Sequence, residues 1–257
     1  MSVAEQSLLF AFELAFPEAT CDECVVFLLA TVGKAHTRQR ISDAVTKLLD
    51  MTRKKLQVTA TERDQRRVDL WHLRTPPIGH VGVPRDHIID IDEAGFNYDV
   101  ANRRFGHAVR GRRARSRQYF ARGLHVNIIV GISSTGEVYM HVNVDSTNEA
   151  TFIDFFDQEV FPPNAGRPRA LMWDNLNVHF TAAVLAACTA DGHTVLPCAP
   201  YNPDDAPIEY FFGRLEEYLR KHQFEITPAT FVAWIYRAAA NSSNPHHLNN
   251  TFAHCGL

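Results

Sequence analysis

Three carboxylates in this chain occupy positions where acids can do chemistry. Asp92 follows the apolar, β-branched run His87–Ile91, Asp174 follows Ala170–Trp173, and Glu209 opens the stretch after Pro207. In an α/β sheet, strand ends and helix starts can collect at one edge. Carboxylates gathered there repel one another by about 4 kcal/mol per pair at about 4 Å and an effective dielectric near 20. Such a cluster persists only with raised pKa values or bound cations. An all-oxygen donor set of this kind suits Mg²⁺ or Mn²⁺. Two such ions about 4 Å apart can activate a water or a 3′-hydroxyl and stabilise the leaving oxygen of a phosphodiester. A lone Asp at a strand end more often caps a turn, so only the spacing of all three acids together points to a site.

A second signal is charge. Residues 1–33 carry five acids and no Lys or Arg, whereas 34–67 carry ten Lys/Arg against four acids. Residues 103–122 carry eight Arg and no acid, and 123–257 return to six Lys/Arg against fourteen acids. Two basic blocks on a neutral-to-acidic body point to a polyanion, most simply duplex DNA. Arg38, Arg40, Arg53, Lys54 and Lys55 in the first block are the candidate phosphate contacts, with Arg103, Arg104, Arg110, Arg112, Arg113 and Arg115 in the second. Arg clusters with no spacing code neutralise backbone charge rather than read bases.

The elements that must position these groups fall into two parts. Over 1–75 the pattern is helical: Ser7–Phe16 stopped by Pro17, a helix capped by Thr20 and closed by Gly33, a third capped by Thr37, and a fourth over Thr59–Leu73. Three short helices followed by basic residues suggest a helix-turn-helix unit. Residues 76–86 lie in a Pro- and Gly-rich linker. From 87 to 257 the expected order is βββαβαβαα: strands at His87–Ile91, Leu124–Ile132 and Glu137–Val144, a helix over Thr147–Phe161 with Phe152, Phe155 and Phe156 inward, a strand at Ala170–Trp173, a helix over Phe180–Ala190, a strand at Thr194–Leu196, and helices over Ile208–Lys221 and Pro228–Ala240. This is an α/β class with a mixed sheet and flanking helices. His246-His247 reads as polar tail.

With the elements in place, three motifs resemble the mariner superfamily of DDE transposases. They are Ile91-Asp92-Glu93-Ala94-Gly95-Phe96, Trp173-Asp174-Asn175-Leu176-Asn177-Val178-His179, and Pro200-Tyr201-Asn202-Pro203-Asp204-Asp205-Ala206-Pro207-Ile208-Glu209, with 34 residues between Asp174 and Glu209. The Asn102–Arg115 block is similar to the Arg-rich segment that follows the family's first Asp, and Arg53-Lys54-Lys55-Leu56 to the end of its paired-type DNA-binding region. The resemblance implies a ribonuclease-H-like catalytic fold over 87–257 and a helix-turn-helix-like region over 1–75. It also implies cleavage of transposon ends and strand transfer into target DNA, with two Mg²⁺ or Mn²⁺ ions held by Asp92, Asp174 and Glu209 as the catalytic trio. Glu93 and Asn175 would be their supporting or DNA-facing neighbours, His179 would orient a nearby loop, and the active form would be a homodimer. A nuclear address would follow in a eukaryote, a cytoplasmic or nucleoid one otherwise. The sequence departs from the family at Asn202, where Ser is usual, at Asp205, where an apolar residue is usual, and at Ala206, where Asn is usual. Relatives carry a first helix-turn-helix without counterpart in these 257 residues, so weak sequence preference is expected. The alternative reading is a host-adopted DNA-binding derivative with little or no cutting. A third, a ribonuclease-H-like nuclease with no transposon role, fits the Arg block and helical N-terminal part less well.

Composition bounds the rest. The 257 residues are 46% hydrophobic and 21% charged, as in an ordinary globular chain. The apolar runs Leu8–Phe12 and Cys24–Val32 are shorter than the roughly 20 residues a bilayer needs, and no signal-like start is present, so no membrane partner is expected. Five scattered Cys do not suggest a disulfide framework. Cys21 and Cys24 form half of a zinc pattern with no second pair, so they read as helix and core residues. No phosphate-cradling Gly loop supports ATP dependence.

Overall fold

The computed structural model describes residues 1–52, 64–76, 79–103, 108–113, 115, 124–143, 147–174, 180–198, 202 and 205–257. Arg53, Lys54, Lys55, Arg104, Asn175 and His179 lie outside them. The chain forms two compact units, Met1–Thr59 and Ala60–Leu257.

The first unit is helical, and its caps explain why. Helix α1 (Val3–Ala15) starts at Ser2 and α2 (Cys21–Val32) at Thr20, each through a reciprocal capping box with Glu5 or Glu23. Gly33, at φ +68°, ends α2 in the left-handed conformation that a side chain would disfavour. Thr37 caps α3 (Arg38–Asp43), which runs on into a π-helical turn at Ala44–Leu48. Leu9, Cys24, Leu28, Ile41 and Ala44 form the unit's small core. Cys24 is thus a core residue, and its thiol donates to Glu13 Oε1 at 3.3 Å. All five cysteines are free.

The second unit is built on a five-stranded mixed sheet in the order β3-β2-β1-β4-β5. Strand β1 (Ile88–Asn97) pairs antiparallel with β2 (His125–Ser133), which pairs antiparallel with β3 (Val138–Asn143). On its other side β1 pairs parallel with β4 (Ala170–Trp173), and β4 with β5 (Thr194–Pro197). Alternation along the strands divides the core into two layers. Ile89, Ile91, Ile129, Leu171 and Trp173 face α5 (Glu149–Phe155), with its π-helical continuation and short α6 (Phe161–Asn164), and α7 (Ala182–Ala190). Phe152, Phe155 and Phe156 are fully buried there, each stabilising by about 1.5–3 kcal/mol. Ile88, Ile128, Val130 and Met172 face the opposite layer, where α8 (Pro207–Lys221) and α9 (Phe231–Ser242) pack. Helix α8 buries Ile208, Phe211, Phe212, Leu215 and Leu219, an apolar stripe at helical spacing.

Four features differ from the sequence reading. Asp92 does not follow a strand but lies inside one, because β2 keeps pairing with β1 as far as Asn97↔His125. Helix α4 (Gln65–Leu73), expected with the N-terminal helices, belongs to the second unit. Val68 and Trp71 are buried in that unit's core, and Trp71 Nε1 donates to Pro197 O at 2.8 Å. The helix over Thr147–Phe161 is interrupted by the π-helical turn at Phe156–Val160, which turns consecutive phenylalanines inward. His246-His247 is not a polar tail. It opens α10 (Pro245–His254), capped by Asn244 with Pro245 in the first turn, and Leu248 and Phe252 anchor that helix in the core. Among the described residues, no helix is long and apolar enough to cross a membrane.

Candidate active site

Register brings the first two carboxylates together. The parallel pairing Ile88↔Ala170, Ile89↔Leu171 and Asp90↔Met172, carried two residues further, sets Asp174 beside Asp92. Neighbouring strands are about 4.8 Å apart, and matched positions of a parallel pair project to the same face. Strand β4 ends at Trp173, so Asp174 is exposed just past its end, while Asp92 remains held by β2 through Val130. That face is the one α8 covers, and α8 brings Glu209 in its first turn. Helix α8 starts where it does because Pro207 suits a first helical position and the apolar stripe follows at once.

The electrostatics show that the three acids share one neighbourhood. The half-buried Asp92 carboxyl is pushed up to about 7, chiefly by burial, with Glu93, Asp174 and Glu209 adding repulsion. The Glu93 N–H, donated to Asp92 Oδ1 at 2.8 Å, opposes that rise. Glu209 stands at the exposed side of α8, and partial burial lifts its carboxyl above the usual range. Among the described residues, no three His, Cys, Asp or Glu side chains converge tightly enough to hold a metal ion. The donor set itself suits a hard divalent cation: three carboxylates, one of them with its pKa raised to about 7 by burial and acidic neighbours, a charge repulsion that a bound cation would relieve.

A fourth carboxylate, absent from the sequence reading, joins the trio. Asp90 lies on the same face of β1 as Asp92 and is 1% exposed. Its Oδ2 accepts a hydrogen bond from the Ile208 N–H at 2.8 Å. Burial, with Asp92 and Glu209 adding, raises its pKa well above the carboxylate range. The N-cap residue of α8 is Ala206, which has no side-chain oxygen to offer. Asp90 therefore caps from the sheet the helix that carries Glu209. The signal was in the sequence, in the two polar residues two apart in Ile88-Ile89-Asp90-Ile91-Asp92, but strand alternation alone does not say what lies above the sheet.

The other two departures from the family motif are also paired in the fold. Asp205 accepts from Asn202 Nδ2 and lies 2.7 Å from His72 Nε2 of α4, whose Nδ1 is 3.2 Å from His80 Nε2. The approach to α8 is thus tied to α4. Cys198, just after β5, lies near Asp90, Asp92 and Asp174, and burial with these charges holds its thiol well above its ordinary pKa.

The remaining candidates spread out. Glu93 alternates to the opposite face from Asp92, and its hydrogen bond to Asp92 comes from the backbone. Arg110, Arg112, Arg113 and Arg115 are exposed. Arg103 instead braces the fold. Its Nε and Nη2 donate to Arg220 O at 3.1 Å and Lys221 O at 2.8 Å, and its guanidinium stacks over Phe224. It thereby satisfies the carbonyls at the C-terminal end of α8. In the first unit Arg38 and Arg40 are exposed on α3, with Arg38 3.5 Å from Asp22.

The DDE superfamily endonuclease model matches residues 87–230, more than half of the chain. The chain belongs to the DDE superfamily of endonucleases. Its fold is that of the mariner transposase Mos1. The Mos1 paired-end complex with Mg is 17% identical, with a TM-score of 0.62 over 98% of this chain and 79% of that one. The Mos1 paired-end complex with Mn gives 0.59 at 17% identity, over 98% and 78%. The Mos1 complex with the left transposon end gives 0.60 at 17%, again over 98% and 78%. Among curated proteins, none matches the chain. In this family member the mixed five-stranded sheet expected from the element order is present, and it matches the ribonuclease-H-like fold that the resemblance implied.

Proposed function

We propose that the chain is a transposase-type DNA endonuclease and strand transferase whose divalent cations, Mg²⁺ or Mn²⁺, are held by Asp92, Asp174 and Glu209. The observation that supports this reading is the β1–β4 register, which runs to Asp90↔Met172, two residues short of Asp92 and Asp174, on the face where the first turn of α8 carries Glu209. The family and the Mos1-like fold support it. When bound, the cations would activate a water or the 3′-hydroxyl of a DNA strand as nucleophile and stabilise the leaving oxygen. The residues of the chain do the rest. Asp90 holds the first turn of α8 in place, β2 fixes the Asp92 backbone, and the end of β4 leaves Asp174 open to a DNA strand. The exposed Arg110, Arg112, Arg113 and Arg115 would add sequence-independent attraction to phosphates. Transposon ends and target DNA are the substrates on this reading, and two copies act together.

The test is cleavage of duplexes bearing candidate terminal inverted repeats, against random duplexes, with Mg²⁺ or Mn²⁺. Asp174→Asn keeps the side-chain shape and removes the charge, and should abolish cleavage while leaving DNA binding intact. Binding without metal-dependent cleavage on any duplex would favour the DNA-binding derivative instead.

A further inference from the structure

Between helices α8 and α10 lies an open pocket of about 380 Å³, lined by Tyr210, Arg214, His247, Asn250, Thr251 and His254. Its walls follow from helical spacing. Tyr210 and Arg214 are four apart on α8, and His247, Asn250 and His254 recur at three and four on α10. Tyr210 follows Glu209 but points about 100° away around the helix, so the pocket is separate from the carboxylate face.

The cation in this cavity stands in unusual company. Arg214 is partly buried, and its Nε is fully buried with no hydrogen-bond acceptor among the described residues. Its Nη2 donates to Thr251 Oγ1 at 3.3 Å. Thr251 is neutral, and its hydroxyl in turn donates to His247 O at 2.8 Å. Among the described residues no carboxylate forms an ion pair with Arg214, in a stretch of chain where acids outnumber bases. Burial lowers its pKa with no acidic neighbour to offset it. Partial burial of a guanidinium is unfavourable unless an anion meets it. The neighbouring side chains, two imidazoles, a carboxamide and a phenol, can each donate a hydrogen bond. A planar guanidinium ringed by groups able to donate matches a phosphate.

We propose that this pocket binds a backbone phosphate of the DNA on which the chain acts, with Arg214 as its charged anchor and His247 and His254 as flanking donors. The proposal rests on the reading of the chain as one that acts on DNA. Arg214 lies five residues beyond Glu209, about 7.5 Å along the helix axis and about 140° around it, so a bound duplex would meet the two side chains on opposite flanks of α8. Neither basic block of the sequence contains Arg214, and His247 looked like tail until α10 placed it on the pocket wall opposite.

Binding of a short duplex, measured across a range of NaCl concentrations, tests the assignment. Loss of one neutralised phosphate lowers the slope of log affinity against log salt by about 0.9, so Arg214→Gln should flatten it by that much and weaken low-salt binding several-fold. Arg214→Lys keeps the charge and should retain most of the slope. Arg237→Gln removes an exposed cation of α9 outside the pocket, stacked on Trp234, and should leave the slope as in the parent. Thermal melts of every variant verify folding. A folded Arg214→Gln protein with an unchanged slope overturns the proposal, as does an equal loss of slope in Arg237→Gln. In a second arm, inorganic phosphate is titrated while the imidazole NMR signals of His247 and His254 are followed. Movement in the parent that vanishes in Arg214→Gln supports the anion cavity. No movement together with an unchanged DNA slope overturns it. Phosphate-dependent movement with an unchanged DNA slope overturns DNA as the source and leaves a free phosphate as the ligand. If the parent binds no duplex, the reading of function fails, and the phosphate arm alone decides the cavity.

Discussion

Removing Asp90 should loosen the helix that carries Glu209 while the rest of the sheet stays intact. In Asp90→Ala the Ile208 N–H loses its carboxylate acceptor, and Ile208 is 1% exposed, so water reaches it poorly. An orphaned buried donor costs about 1–3 kcal/mol. Loss of a helix cap costs about 0.5–2 kcal/mol by an independent measure, and the two ranges describe the same bond, so they are not summed. Removing a carboxyl whose burial resists ionisation gives part of this back as pH rises, so the loss is largest in mild acid. The expected destabilisation is about 1–2 kcal/mol near pH 6, concentrated in the first turn of α8. Amide hydrogen exchange is the direct assay: Ile208 and Glu209 should exchange about 5–30 times faster, while the amides of β2 change little. The second substitution Ala206→Asn supplies a side-chain acceptor at the N-cap itself, where the backbone is already extended (φ −100°, ψ 104°). Added to Asp90→Ala it should restore slow exchange and, if the chain cuts DNA, restore cleavage in parallel. Unchanged Ile208 exchange in Asp90→Ala, or no recovery on adding Ala206→Asn, would refute the view that Asp90 positions this helix.

Two further outcomes follow from the charges. Asp92 has a folded pKa of about 7 against an ordinary 3.8, so its contribution to stability is fully present below pH 4 and is lost as pH rises through about 7. At 1.36 kcal/mol per unit this is on the order of 4 kcal/mol, so the melting temperature of the metal-free chain should fall between pH 5 and pH 8. Asp92→Asn should flatten that fall, and Mn²⁺ should offset it in the parent; a parent and variant with identical pH profiles would refute the assignment. Arg103→Ala removes two hydrogen bonds to the end of α8 and the stacking on Phe224, and should destabilise by about 1–2 kcal/mol. The salt slope of DNA binding should not change, and a slope lowered by about 0.9 would return Arg103 to the phosphate contacts.

What the sequence determined by itself was local or periodic. Thr20 with Glu23, and Thr37 before the third helix, are capping signals complete within four residues, and the structure has both caps. The alternation and β-branching of the strands, and the stripe on α8, specified the order of elements and therefore the mixed sheet. The three motifs pointed to the family because order and spacing along the chain survive without coordinates. Tertiary structure decided what depends on partners distant in sequence. The length of β1 depended on β2 continuing to pair beyond Asp92, and α4 joined the second unit because Trp71 found Pro197, 126 residues away. Arg103 looked like one more member of a basic block until the end of α8 supplied carbonyls for it. Asp90 and Arg214 remained invisible for one shared reason. Whether a polar side chain is buried, and whether its partner is a backbone N–H, a carboxylate or an empty cavity, depends on which surface the fold presses against it. No local pattern contains that surface.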